Sequence, residues 1–258
     1  MDRVNKRENE GKLYGPGMAE IYDYLMQSVD YQGWCEYVEK LIEKYRIKVG
    51  RLLDLACGTG TSTLPFAQKG YYVVGVDYSE EMISLAREKA GKGFPGASFE
   101  VGDLRSLELQ GHFSLALHYQ DGLNYLLTEE ELNKAFHNIS CHLESGGYFI
   151  FDLNFPGFYS KKERESFWVD EENFTMAWES CFNDISRVRD MVLLVFVKRE
   201  DGSYRKFRES HLEKEHSREE VEEGLKQAGF VLKEVLPTLD WRVPRESDSR
   251  LTFVAQKA

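Results

Sequence analysis

The sequence predicts an α/β fold, a doubly wound and mostly parallel seven-stranded sheet with an antiparallel β insertion after the fifth strand. From Val49 onward, short apolar runs alternate with amphipathic stretches, the pattern of repeated strand–helix units. The first apolar run, 51–55, passes directly into a turn of small residues, Ala56-Cys57-Gly58-Thr59-Gly60. Beyond residue 155 the rhythm changes to longer strand-like runs, and helical periodicity returns only at Ser217. These boundaries divide the chain into an N-terminal helical segment (1–48), an α/β domain (49–155 with 214–258) and an inserted antiparallel β cap (156–213).

In chain order, the strand at 51–55 is followed by a helix over 63–69 that stops at Gly70. Residues 72–76 form the second strand, ended by Asp77. Ser79 with Glu80 and Glu81 suits the start of a helix running to Ala90, although Met82 stands where a full capping box needs Glu or Gln. Residues 98–101 read as the third strand. Residues 113–118, apolar through Leu115-Ala116-Leu117, read as a central fourth. Thr128 and Glu131 suggest a capping box for a helix over 128–143, and Gly146-Gly147 leads into the fifth strand, 148–153. In the insertion, 191–197 is strand-like and Asp201-Gly202 is a hairpin signal. A helix over 217–228, capped by Gly229, and strands near 230–236 and 251–255 complete the sheet.

The chain has 258 residues, 42% hydrophobic and 13% aromatic, enough apolar material for one large domain or a core with an insertion. No stretch approaches the roughly 18 uninterrupted apolar residues of a membrane span. Residues 1–12 are charged and polar, without the apolar core of a signal peptide, so a disordered start on a cytoplasmic protein is expected, with no membrane partner. Cys35, Cys57, Cys141 and Cys181 lie far apart without a C-x-x-C pair, and are expected as free thiols. The six histidines show no metal-binding spacing, so no metal is expected. Formal charge is −11, and the basic patches (Lys161-Lys162, and Arg205 with Lys206 and Arg208) are short and interleaved with acids. Binding to long nucleic acid is not expected, because it draws its affinity from basic faces that displace counterions from phosphates.

Ligands of open α/β sheets bind beyond the carboxyl ends of the strands, where the 54–60 loop D-L-A-C-G-T-G lies. Gly58 and Gly60 let a ligand lie against the main chain. Asp77 closes the second strand, where its carboxylate can accept from both hydroxyls of a ribose. Asp103 closes the third strand beside Leu104, whose backbone can meet an adenine edge. Asp54 precedes the glycines and suits a ligand ammonium. Together the three acids form one ligand-shaped row.

Four segments, LLDLACGTGT (52–61), VVGVDYSEEMISLAREKA (73–90), FEVGDLRSL (99–107) and GG-x-FIFDLN (146–154), resemble the class I S-adenosylmethionine-dependent methyltransferases. The N-terminal Tyr14, Tyr22-Asp23, Asp30-Tyr31 and Trp34 are similar to the pattern before the first motif in the small-molecule N-methyltransferase branch. The resemblance implies a Rossmann-like methyltransferase fold, S-adenosyl-L-methionine as cofactor and S-adenosyl-L-homocysteine as product. It implies that Ala56, Gly58 and Gly60 lie against the methionine part, and that Asp77 and Tyr78 stand at the ribose. Met82, Gly102, Asp103 and Leu104 would meet the adenine. Asp54 and His118 complete the cofactor set, with Tyr14, Tyr22 and Trp34 on an N-terminal lid. Tyr14 and Tyr22 are the candidates for cation–π contact with a sulfonium, worth about 0.5–2 kcal/mol.

The implied reaction is in-line displacement, in which a nucleophilic N, O or S of a small-molecule acceptor attacks the methyl group, N being favoured over O. Alignment alone can supply roughly 7–11 kcal/mol. His118, Asp121 and Tyr14 are the catalytic candidates. The acceptor pocket is expected between the N-terminal segment, the 118–125 loop and the insertion, in a monomer or homodimer. An alternative reading is a non-catalytic cofactor-binding sensor or scaffold, which a sealed acceptor pocket would favour. A nicotinamide-dependent oxidoreductase calls for G-x-G-x-x-G, and residues 58–63 lack the third glycine. Phosphate transfer is disfavoured because G-K-[ST] never occurs.

Overall fold

In the computed structural model, which describes residues 14–91, 93–155 and 164–258, two helices precede the sheet. The charged start at 1–12 and the Lys161-Lys162 patch lie outside the described residues. Helix α1 (Pro16–Leu25) opens on a proline, whose missing N–H is no loss at that position. Helix α2 (Tyr31–Tyr45) is capped by Asp30, which accepts from the Gly33 N–H at 2.8 Å. There follow β1 (Arg51–Leu55), α3 (Leu64–Gln68), β2 (Tyr72–Asp77), α4 (Glu80–Ala90), β3 (Ala97–Val101), β4 (Phe113–His118), α5 (Glu129–His142) and β5 (Leu143–Asn154). The insertion is β6 (Arg164–Asp170), β7 (Phe174–Asn183), β8 (Val188–Lys198) and β9 (Tyr204–Lys214). Helix α6 (Arg218–Gln227), β10 (Phe230–Pro237) and β11 (Arg250–Lys257) close the chain. No helix is long and apolar enough to cross a membrane among the described residues.

The main sheet has seven strands in the order β10-β11-β5-β4-β1-β2-β3. β1 to β5 pair in parallel, and β11 runs antiparallel to both its neighbours. All six residues of β4 are buried, as the apolar run predicts for a central strand. One face (Leu53, Leu55, Ala116, Phe149, Phe151) packs under α5 and α6. The other (Leu52, Val73, Leu115, Ile150) packs under α2 and α3, with α4 seated on Cys57 and Phe99. Strand order reverses between β1 and β4, which opens a crevice at their carboxyl ends.

Several elements differ from the sequence expectation. Only a three-residue turn, Leu104–Ser106, leads from β3 towards β4. There the Asp103 carboxylate accepts from the Arg105 N–H at 2.8 Å, forming a local turn in place of a first helical turn. The capping box at Thr128 is incomplete: its hydroxyl accepts from the Glu131 N–H, but the Glu131 carboxylate reaches back to Leu127. Ser217 and Glu220 form a complete box instead. The N-terminal segment divides in two. In α2, Trp34, Tyr37, Val38 and Leu41 share one helical face and join the core of the main sheet. Met18 and Ile21 of α1 pack on the inserted sheet.

The insertion is a four-stranded antiparallel sheet in the order β6-β7-β8-β9. Alternate residues, including Met176, Met191, Leu193 and Phe207, form a separate apolar cluster against α1. The Asp201-Gly202 hairpin is present, with the Asp201 carboxylate accepting from the Ser203 N–H at 2.9 Å.

Candidate active site

A cavity of about 500 Å³ lies beyond the carboxyl ends of the parallel strands. Its floor is the β1–α3 turn, where Gly58 adopts φ 54° and a Cβ would stand 3.5 Å from the Tyr22 ring. Gly60 does not border the cavity. Its φ is 77° and a Cβ there would come within 2.9 Å of Phe99, so this glycine serves the packing of α4. Asp77 lies on the cavity wall. Its Oδ2 accepts from the Gly58 N–H at 2.8 Å and its Oδ1 from the Ser79 N–H at 2.9 Å. Burial pushes its carboxyl upward, opposed by those two bonds, and each oxygen keeps accepting capacity. Tyr78, Met82, Gly102, Asp103 and Leu104 complete this side, and Tyr14, Tyr22 and Ala56 border the rest.

Arg105 was not singled out from the sequence. It clasps Asp103 at 2.6 Å and Glu131 at 2.6 Å, and the guanidinium holds the Asp103 carboxyl below its ordinary range. Asp54 does not border this cavity but lines a narrow adjoining pocket that shares Tyr22, Ala56 and Gln120 with it. It accepts from the hydroxyls of Thr63 (2.6 Å) and Ser62 (2.9 Å), and burial pushes its carboxyl up to about 6. Trp34 lies away from the cavity, with its ring 4.9 Å from Tyr119 inside the core. His118 borders neither this cavity nor the next. Its ring lies beneath Gly122, and burial lowers its pKa to about 3, so it is neutral. Among the described residues neither ring nitrogen has a hydrogen-bond partner.

A second cavity of about 530 Å³ adjoins the first, and Tyr14, Tyr22, Gln120 and Tyr125 border both. Its far wall comes from α1 and the insertion, including Met18, Leu25, Met176, Trp178, Met191 and Leu193. At one corner a hydrogen-bonded chain begins at Tyr14, whose hydroxyl lies 2.8 Å from that of Tyr125. The Tyr125 hydroxyl lies 3.0 Å from His211 Nδ1, and His211 Nε2 lies 3.2 Å from Glu209 Oε2. Glu209 also accepts from the Tyr14 N–H (3.0 Å, the same Oε2) and the Gly15 N–H (2.9 Å, Oε1). Burial drives both tyrosine hydroxyls well above their ordinary range, which keeps them neutral.

Asp121 also borders the second cavity, paired with Arg250 of β11. Arg250 further reaches Asp152 at 3.3 Å and donates to Asn154 Oδ1 at 3.0 Å. Gln120 and Asp121 both have left-handed backbone, φ 60° and 70°, an arrangement that surrounding contacts have to enforce. Tyr125, Glu209 and Arg250 were missed from the sequence. A signal existed for Glu209: Phe207, Glu209, His211 and Glu213 alternate on the inward face of β9, which puts charge where a strand normally buries apolar side chains.

A family model described as a methyltransferase domain matches residues 52–147. The putative methyltransferase YqeM of Bacillus subtilis (strain 168) is 33% identical over 247 residues, covering 94% of this chain and 96% of that protein. The chain belongs to the class I S-adenosylmethionine-dependent methyltransferases. The methyltransferase superimposes on the crystal structure of an S-adenosylmethionine-dependent methyltransferase from Clostridium acetobutylicum ATCC 824 with a TM-score of 0.82. That match is 28% identical and covers 93% of this chain and 97% of the other. The dTDP-3-amino-3,4,6-trideoxy-alpha-D-glucopyranose N,N-dimethyltransferase of Streptomyces venezuelae is 32% identical over 140 residues, 54% of this chain and 57% of that protein. The cofactor of the methyltransferase is therefore S-adenosylmethionine.

Proposed function

We propose that the methyltransferase holds its cofactor in the first cavity and a small-molecule acceptor in the second, with nitrogen as the preferred nucleophile. The observation that carries this reading is the shared wall of Tyr14, Tyr22, Gln120 and Tyr125, where a ligand in each cavity would meet the other. An open second cavity of small-molecule size weighs against a pure sensor.

The residues of the first cavity fit the cofactor. Asp77 has one accepting site per oxygen left for two ribose hydroxyls. Met82, nearly fully buried, offers an apolar face to the adenine beside Gly102 and Leu104. The backbone at Gly58 is open to the methionine part beneath the Tyr22 ring. When bound, S-adenosylmethionine supplies a methyl group activated by its sulfonium. Tyr14 and Tyr22, set edge to face with ring centroids 5.8 Å apart, offer π density at the junction of the cavities. The protein's contribution is alignment and exclusion of water, worth roughly 7–11 kcal/mol. Tyr14 borders both ligand spaces and is assigned to positioning. Asp121, held by Arg250, fixes the 118–125 loop, and neutral His118 supports that loop from below.

A thermal melt tests the cofactor site and a product assay tests the reaction. S-adenosylhomocysteine at about 100 times its dissociation constant stabilises the fold by roughly 2.7 kcal/mol, whereas NADH leaves the melt unchanged. Mass spectrometry of amine, hydroxyl and thiol acceptors incubated with S-adenosylmethionine then identifies the methylated atom. Methylation confined to oxygen or sulfur would overturn the nitrogen assignment.

A further inference from the structure

We propose that the second cavity takes an amine with an apolar body and no phosphate, entering as its ammonium ion. We assign to Tyr125, His211 and Glu209 the removal of its proton. The proposal rests on the reading of that cavity as the acceptor site.

The lining carries the first half. Methionines 18, 26, 176 and 191, with Phe167 and Trp178, make the body of the cavity apolar and adaptable. Its charged lining residues are Asp121, which Arg250 pairs, and Glu213, and His211 lines it as well. Among the described lining residues there is no Lys or Arg. A nucleotide-linked sugar carries a diphosphate, which calls for cationic donors, and the Arg250 guanidinium is engaged with Asp121 and Asp152. The Asp121–Arg250 pair is balanced in charge, so the attraction for an ammonium group comes from Glu209 behind His211, and no described lining cation is offered to a phosphate. The acceptor proposed for this cavity differs in that respect from the one in the name of the amino-sugar relative.

The second half follows from the hydrogen bonds. An ammonium nitrogen has no lone pair and cannot attack a methyl group until it loses a proton. Glu209 also takes two backbone N–H bonds and receives the His211 Nε2–H, which leaves Nδ1 as the bare acceptor facing Tyr125. The Tyr125 oxygen can accept an N–H of the substrate while its own proton passes to Nδ1. The substrate N–H bond breaks, the proton ends on His211 and its positive charge is met by Glu209. The freed lone pair forms the N–C bond as the methyl–sulfur bond breaks, giving S-adenosylhomocysteine and the methylated ammonium. Tyr125 is the catalytic residue of this chain, and His211 and Glu209 act through it. The Tyr14 ring stands edge-on to His211 with centroids 5.1 Å apart, Asp121 and Glu213 line the same cavity, and Arg189 of β8 stands opposite Glu213 in the strand register.

The test uses the whole protein with 2-phenylethylamine, tryptamine, hexylamine, a dTDP-linked amino sugar and the phenol tyrosol, following S-adenosylhomocysteine release. At least one apolar amine should exceed the sugar nucleotide at least 100-fold in kcat/KM. Faster turnover of the sugar nucleotide or of the phenol overturns the acceptor class. So does a panel in which no amine is methylated or raises the melting temperature of the S-adenosylhomocysteine complex. In each case the melt with S-adenosylhomocysteine alone reports separately whether the cofactor reading stands. His211→Gln keeps a hydrogen-bonding group but cannot hold the proton, and should lower kcat on the best amine at least 100-fold near neutral pH. The deficit should shrink as the pH approaches the pKa of the amine, which a merely structural role would not produce. An unchanged kcat, or a deficit independent of pH with cofactor binding intact, overturns the proton path.

Discussion

The two cavities are built on different principles. Around the first, polar side chains bond to close neighbours in the chain: Asp77 to Ser79, Asp103 to Arg105, Asp54 to Ser62 and Thr63. The reach grows to 19 positions from Asp77 to Gly58 and 26 from Arg105 to Glu131, and the Ser79 hydroxyl donates to the Tyr14 carbonyl 65 positions away. Around the second cavity the partners are remote: Tyr125 and His211 are 86 apart, Asp121 and Arg250 are 129 apart, and Tyr14 and Glu209 are 195 apart. A cavity made by local turns holds its shape wherever those turns form. One made by distant strands can change its lining without disturbing the sheet beneath, which suits a fixed cofactor beside a variable acceptor.

That contrast can be broken experimentally, and the largest effect is expected on the long-range side. Glu209→Ala strands two buried N–H groups and the His211 ring, and should cost about 4 kcal/mol of unfolding free energy in urea. A loss below about 1 kcal/mol would mean that the inserted sheet and α1 are held by apolar packing alone. On the local side, Asp54 has its carboxyl raised by burial from 3.8 to about 6. The folded protein therefore keeps a proton that the unfolded chain releases, and stability falls as pH rises from about 4 to about 6, by roughly 3 kcal/mol. Asp54→Asn should flatten that part of the pH profile, and an unaltered slope would assign it to other groups. Asp77→Ala should weaken S-adenosylhomocysteine binding at least tenfold by calorimetry, about 1.4 kcal/mol. Unchanged affinity would remove Asp77 from the cofactor site. The smallest effect is expected for His118→Leu, which replaces an unpartnered buried ring by an apolar side chain of similar bulk. Stability should stay within about 1 kcal/mol and cofactor affinity should not move. A large loss of turnover in this variant would return His118 to the chemistry.

The same contrast explains what the sequence made legible. Most strands of the main sheet could be read because they are short apolar runs bounded by glycine or a capping residue, whereas β3 buries only Phe99, and the 54–60 loop carries its own backbone signature. The local geometry of Asp77, Tyr78, Gly102 and Leu104 follows from their places just at or beyond strand ends, and that of Met82 from the capped first turn of α4. Trp34 misled because an aromatic residue on a helix looks alike whether it faces a ligand or a core. Its companions Tyr37, Val38 and Leu41 were the better guide, since they mark a buried stripe. Asp54 misled because the hydroxyls that occupy it lie eight and nine positions on, across the glycine turn. Arg250 and Glu209 were beyond any local pattern, since their roles depend on strands meeting from opposite ends of the chain.

Glu209 Oε2 serves two masters: it receives the backbone N–H of Tyr14 and it faces the imidazole of His211. Any change of charge on that ring alters how tightly the same oxygen grips the segment above the cavities. If the ring takes a proton during the reaction as proposed, the same oxygen would carry both that charge and the Tyr14 N–H, coupling the catalytic cycle to the segment that borders both cavities.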